Sequence, residues 1–191
     1  MTQVRSMRAD ARRNRELLLR AAVEAFAAHG EGASLDDIAK RAGVGSGTLY
    51  RHFPTRRALL EAAYVDRIDS IAARAGELAG RLPPGEALVE WLNELGAGML
   101  RIRGLCGLLG SAVGGGDTEC CDPLKSAVSR LVGSAREAGV LRRDVEPDDV
   151  LRLAHGVATA AGPAGGEAEQ IRRIRRYLEL LMTGLRAPGA P

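Results

Sequence analysis

Apolar positions recur every three or four residues along almost the whole chain, a pattern that predicts an all-α protein of about nine helices. Leu18, Ala22, Ala25 and Phe26 set the repeat of a first helix over about 8–29, which Gly30 stops. Ser34 precedes Leu35, Ile38 and Ala39 and, with Asp37 three residues on, forms a variant of the capping box, so a short second helix ends near Ala42. Gly43 supplies the positive φ of a tight turn, and Gly45 or Ser46 caps a third helix of barely two turns that Pro54 ends. A fourth helix over about 56–78 turns Leu59, Leu60, Ala63 and Ile68 inward and closes at Pro83, Pro84 and Gly85.

Beyond it, Leu88, Trp91, Leu92, Leu95, Met99 and Ile102 predict a buried helix over 86–103. The stretch 104–116 is apolar but rich in glycine, which predicts a short or irregular helix and then a loop through Cys121, Asp122 and Pro123. Helices resume over about 124–138, 147–161 and 167–185, with no internal repeat. The short N-terminal helices and the longer ones after them predict two domains, a helix-turn-helix module over 1–57 and a larger helical bundle over 58–191.

Charge separates these two parts. The 191-residue chain has a formal charge of only +3, yet residues 1–57 hold 11 Lys/Arg against 6 Asp/Glu, while the remainder holds 16 against 18. A polyanion is attracted to the N-terminal third and not to the rest. Apolar stretches are broken well before the ~18 residues that a membrane span needs, and Met1 is followed by Arg5, Arg8 and Asp10 with no apolar core of a signal peptide, so a cytoplasmic protein without membrane contact is expected. No nucleophile triad or HExxH sequence is present, and Gly114 to Gly116 lack the Lys-Ser/Thr of a phosphate loop. Neither an enzyme nor a metal or cofactor site is expected.

Two short helices joined by a glycine turn fit one helix into the DNA major groove, about 12 Å wide. The first residues of the third helix, Ser46, Thr48 and Arg51, then face base edges, while Tyr50, His52 and Arg56 point toward phosphates. Leu49 and Phe53 must face inward, because so short a helix exists only when packed.

The strings Leu35-Asp36-Asp37-Ile38-Ala39, Ala42-Gly43-Val44, Gly47-Thr48-Leu49-Tyr50-Arg51-His52-Phe53 and Arg56-Arg57-Ala58-Leu59-Leu60 resemble the TetR family of repressors across the first 65 residues or so. The resemblance implies a three-helix DNA-binding module followed by a divergent domain that dimerises and usually binds a small effector. It makes Ser46, Thr48 and Arg51 base readers, makes Tyr50, His52 and Arg56 phosphate contacts, and adds Ser34 as a phosphate contact. Two positions depart from the family: Gly45 offers no side chain where Ser is frequent, and Arg56 replaces the commoner Lys but keeps its charge. Further on, only residues 136–150 are similar to the family's C-terminal domains. The expected function is a ligand-responsive repressor that binds double-stranded operator DNA and releases it when a small molecule enters the C-terminal domain.

In that domain Trp91, Leu95, Met99, Leu109 and His155 are the candidate ligand-pocket residues, with adjacent glycines leaving space. Ile171, Ile174, Leu178, Leu181 and Leu185 form a 3,4 seam on the last helix, and Ala154, Ala158 and Ala161 allow close approach on the one before it. This pair is the candidate homodimer interface, which would space two reading heads about 34–36 Å apart. An alternative keeps DNA binding but replaces the metabolite with oxidant or soft-metal sensing by Cys106, Cys120 and Cys121.

Overall fold

The computed structural model describes residues 2–101, 103–114, 119–162 and 165–188. Among them are nine α-helices: α1 Thr2–His29, α2 Leu35–Arg41, α3 Ser46–His52, α4 Arg56–Ala79, α5 Pro84–Arg101, α6 Arg103–Val113, α7 Asp122–Glu137, α8 Pro147–Ala160 and α9 Glu167–Leu185. Ile102, an expected core position, residues 115 and 116 of the glycine-rich stretch, and 163–164 between the last two helices lie outside the described residues, as do the side chains of Arg5 and Arg8. The chain divides into two compact units, Met1–Val65 and Asp66–Pro191, a division further into α4 than the expected break after Arg57.

In the first unit α1 turns Leu18, Ala22, Ala25 and Phe26 inward. Helix α2 packs on α1, and α3 packs on α2. The Ser34 hydroxyl caps α2 by accepting the Asp37 backbone N–H at 3.3 Å. At the other end Gly43, at φ +70°, lets its own N–H reach the Lys40 carbonyl and the Val44 N–H reach the Ala39 carbonyl. That pair of bonds is a Schellman closure, and it reverses the chain within two residues so that α3 starts at once. Thr55 caps α4 by accepting the Ala58 N–H at 3.0 Å. The Phe26 and Tyr64 rings meet at 6.3 Å beneath these short helices.

In the second unit α5 is the central element, packed on α6, α7, α8 and α9. Its Trp91 is fully buried, and the indole N–H donates to the Ile71 carbonyl at 2.9 Å, so the ring fills the core without leaving a polar atom unpaired. Arg74 of α4 holds Glu94 of α5 at 2.7 Å and also bonds Glu77. The glycines of α5 set its spacing to its neighbours: a Cβ on Gly96 would lie 2.7 Å from Ile174 Cγ2 of α9. An antiparallel bridge between Leu141 and Arg186 ties the loop after α7 to the end of α9.

Of the two outcomes expected for the glycine-rich stretch, a short or an irregular helix, α6 takes the first, with 11 residues. Leu105, Leu108 and Leu109 supply a buried repeat, and Gly110 lies against His155 of α8, where a Cβ would come within 3.0 Å of Nε2. Packing on α8 therefore compensates for the poor helix propensity of glycine. Helix α7 begins at Asp122 rather than at Leu124, since Pro123 sits in its first turn, where no N–H is needed. Among the described residues no helix is long and apolar enough to cross a membrane.

Candidate nucleic-acid interface

Helix α3 spans seven residues, about 10 Å of axis. Behind it Leu49 is 1% exposed and Phe53 is buried at its C-cap, and in front Tyr50 is 49% exposed. Ser46, Gly47 and Arg51 are also exposed, and Thr48 and His52 are half-buried. One side of the helix is thus anchored in the core, and the other presents hydroxyl, phenol and guanidinium groups to solvent. With basic side chains predominating in residues 1–57, such a surface suits the edge of a duplex.

The side chains at this surface are not all free. Ser34 faces solvent with its oxygen engaged as the cap of α2. Arg51 is exposed and folds back so that Nε donates to the Gly47 carbonyl at 3.2 Å, a bond that uses one of its five donors. Ser46 donates its hydroxyl proton to Asp36 Oδ1 at 2.8 Å.

Arg56, expected at phosphate, also has a partner within the chain. Its guanidinium is half-buried and donates to the Ala33 carbonyl, tying the start of α4 to the link between α1 and α2. The physical reason is that Ala33 is itself buried, and a carbonyl there requires a donor. Sequence spacing also missed Arg15, whose guanidinium lies 5.6 Å from the centre of the Phe53 ring, a cation–π contact that steadies the end of α3. Both contacts join residues far apart in sequence, and no local pattern announces them.

The expected dimer seam is only partly available. Ala154, Ala158, Ala161, Ile174 and Leu178 are already buried within the single chain. The reason is that α9 packs on both α5 and α8, with Ile174 seated over Gly96. Ile171, Leu181 and Leu185 stay half-buried, while Leu180 is 61% exposed and Leu153 is 38% exposed.

Of the candidate pocket residues, Trp91, Leu95 and Leu109 are fully buried, and His155 is half-buried against α6. Met99 lines a cleft of about 220 Å³ together with Leu100, Cys106, Ala158, Thr159 and Gln170. The three cysteines separate: Cys106 meets Thr159 across α6 and α8, with sulfur and oxygen 3.8 Å apart, while Cys120 and Cys121 are neighbours with sulfurs 3.9 Å apart. Among the described residues no three His, Cys, Asp or Glu side chains gather closely enough to hold a metal ion.

A family model described as bacterial regulatory proteins, tetR family, matches residues 18–63. A second, described as transcriptional regulator SbtR-like, C-terminal domain, matches residues 83–187, more than half of the chain. No curated protein matches the chain. The crystal structure of a TetR transcriptional regulator from Streptomyces coelicolor is 35% identical over 91% of this chain and 98% of that one, with a TM-score of 0.56. A TetR transcription regulatory protein from Mycobacterium vanbaalenii is 32% identical over 95% and 99% of the two chains, with a TM-score of 0.51. A third structure, reported under the molecular basis for control of antibiotic production by bacterial hormones, is 28% identical over 91% and 97%, with a TM-score of 0.59. With the exposed third helix, the basic first unit and matches to both halves in place, the chain belongs to the TetR family of bacterial DNA-binding transcriptional regulators.

Proposed function

We propose that two copies of this chain bind a two-fold operator as a repressor and release it when a small molecule binds the C-terminal unit. The observation that carries the DNA-binding half is the contrast on α3 between Leu49, sealed behind, and Tyr50, open in front. On this reading Ser46, Thr48 and Arg51 meet base edges, and Ser34, Tyr50 and His52 meet phosphates. Arg56 acts through the backbone it holds.

Replacing Tyr50 tests the contact map. A hydrogen bond to a charged phosphate carries no sequence information, so Tyr50→Ala is expected to lower affinity about tenfold on operator and random duplex alike. Electrophoretic mobility shift at fixed salt reads this, and unchanged affinity on both duplexes would remove Tyr50 from the interface.

Dimerisation is assigned to the apolar surface that α8 and α9 leave uncovered, including Leu153 and Leu180. For the effector, the cleft lined by Met99, Leu100, Cys106 and Thr159 is the candidate entry to the bundle, and its mainly apolar walls favour a small, largely apolar molecule. Small-molecule control is supported by the 28% identical structure linked to bacterial hormones. A ligand that releases the operator must bind the released state more tightly than the DNA-bound one.

A further inference from the structure

We infer that Asp36 sets the base preference of Ser46, making the first turn of α3 an acceptor that selects a base carrying an amino group, cytosine or adenine, and rejects guanine and thymine. The inference rests on the proposal that Ser46 meets a base edge.

A serine hydroxyl has one proton to donate and lone pairs to accept with, so a free serine reads donors and acceptors alike. Here that proton is directed. An ionised carboxylate only accepts, and Ser46 Oγ lies 2.8 Å from Asp36 Oδ1, so the hydroxyl donates to Asp36 in a charge-assisted bond. What Ser46 then presents outward is lone pairs. In the major groove cytosine N4 and adenine N6 offer donors, whereas guanine offers O6 and N7 and thymine offers O4 and a methyl group. An oxygen that can only accept is satisfied by the first two bases and faces electrostatic repulsion from the acceptors of the others.

The geometry suits this use. Ser46 is the first residue of α3, and Asp36 sits in the first turn of α2, both exposed. Gly45, the N-cap of α3, places no side chain between them and the groove. Asp36 also brings a negative charge to a surface otherwise suited to phosphates, which weakens binding wherever the Ser46 contact does not offset the repulsion.

The test is selection of bound duplexes from a random pool by the full chain, followed by affinities on the four base pairs at each selected position. For the wild-type chain, one position per half-site is expected to favour an amino-bearing base about tenfold. Asp36→Ala is expected to reduce the preference at that position to about threefold or less, because the freed hydroxyl can donate as well as accept, and to raise affinity for random duplex. Asp36→Asn, whose amide oxygen still accepts the Ser46 proton, is expected to keep the base preference and so guards against a folding artefact. Ser46→Ala is expected to erase the preference at the same position.

If Ser46→Ala erases it and Asp36→Ala leaves it intact, the role of Asp36 is overturned while the base contact stands. If Ser46→Ala changes no preference, the base contact and the role of Asp36 fall together.

Discussion

Leu49→Ala is expected to abolish operator binding and to unfold the first unit within the range of ordinary growth temperatures. Leu49 is 1% exposed and is the buried side chain that α3 itself contributes to the core. Truncating a fully buried leucine costs about 2–5 kcal/mol, through lost transfer energy and the cavity left behind. A module of about 65 residues is stabilised by only ~3–10 kcal/mol in total. A seven-residue helix has no stability of its own, so the loss falls first on the element that carries the DNA-facing groups. Circular dichroism is expected to show the first transition falling by more than about 10 °C, and mobility shift is expected to show no complex. Retained operator affinity within twofold of wild type would mean that α3 does not depend on this anchor.

Leu180→Glu is expected to convert the dimer to monomer and with it to lower operator affinity more than about a hundredfold. Leu180 is 61% exposed in the single chain, the most exposed of the large apolar side chains among the described residues, whereas Ile174, Leu178 and Met182 of α9 are buried within the chain. In a two-fold interface the substitution introduces two carboxylates into one apolar patch, where each loses solvation without gaining a partner. Two linked reading heads bind a two-fold site with a large effective concentration for the second contact, so separating them removes that gain. Analytical ultracentrifugation measures the first effect and operator titration the second. A variant that remains dimeric with full affinity would place the interface on another surface.

Much of the reading half of the molecule was legible in sequence because punctuation there is strong. Ser34, Gly43, Gly45 and Pro54 mark the ends of α2 and α3, and in the structure they fulfil cap, reversal and stop. Helix α9 also has the limits that its seam and its flanking glycines imply. Helix α6 was less legible because glycine content lowers helix propensity locally, while the packing on α8 that restores it is tertiary.

The same distinction governs the site. Periodicity showed that Leu49 faces inward and Tyr50 outward, but the partners of Ser46, Arg56 and Arg15 lie 10 or more residues away and depend on how three helices meet. Asp36 is given no role by the sequence pattern, and only its distance from Ser46 in the folded unit points to one. The dimer seam was legible as a face that must be buried, yet periodicity does not say by what, and packing on α5 and α8 takes Ile174 and Leu178 within one chain.

Amide hydrogen exchange of the full chain, with and without a duplex recovered from a random pool, tests the central claim most directly. Contact between α3 and the groove is expected to slow exchange most strongly across residues 46–53, with a smaller effect near Ser34. Protection concentrated in the second unit, with residues 46–53 exchanging as they do without DNA, would contradict it.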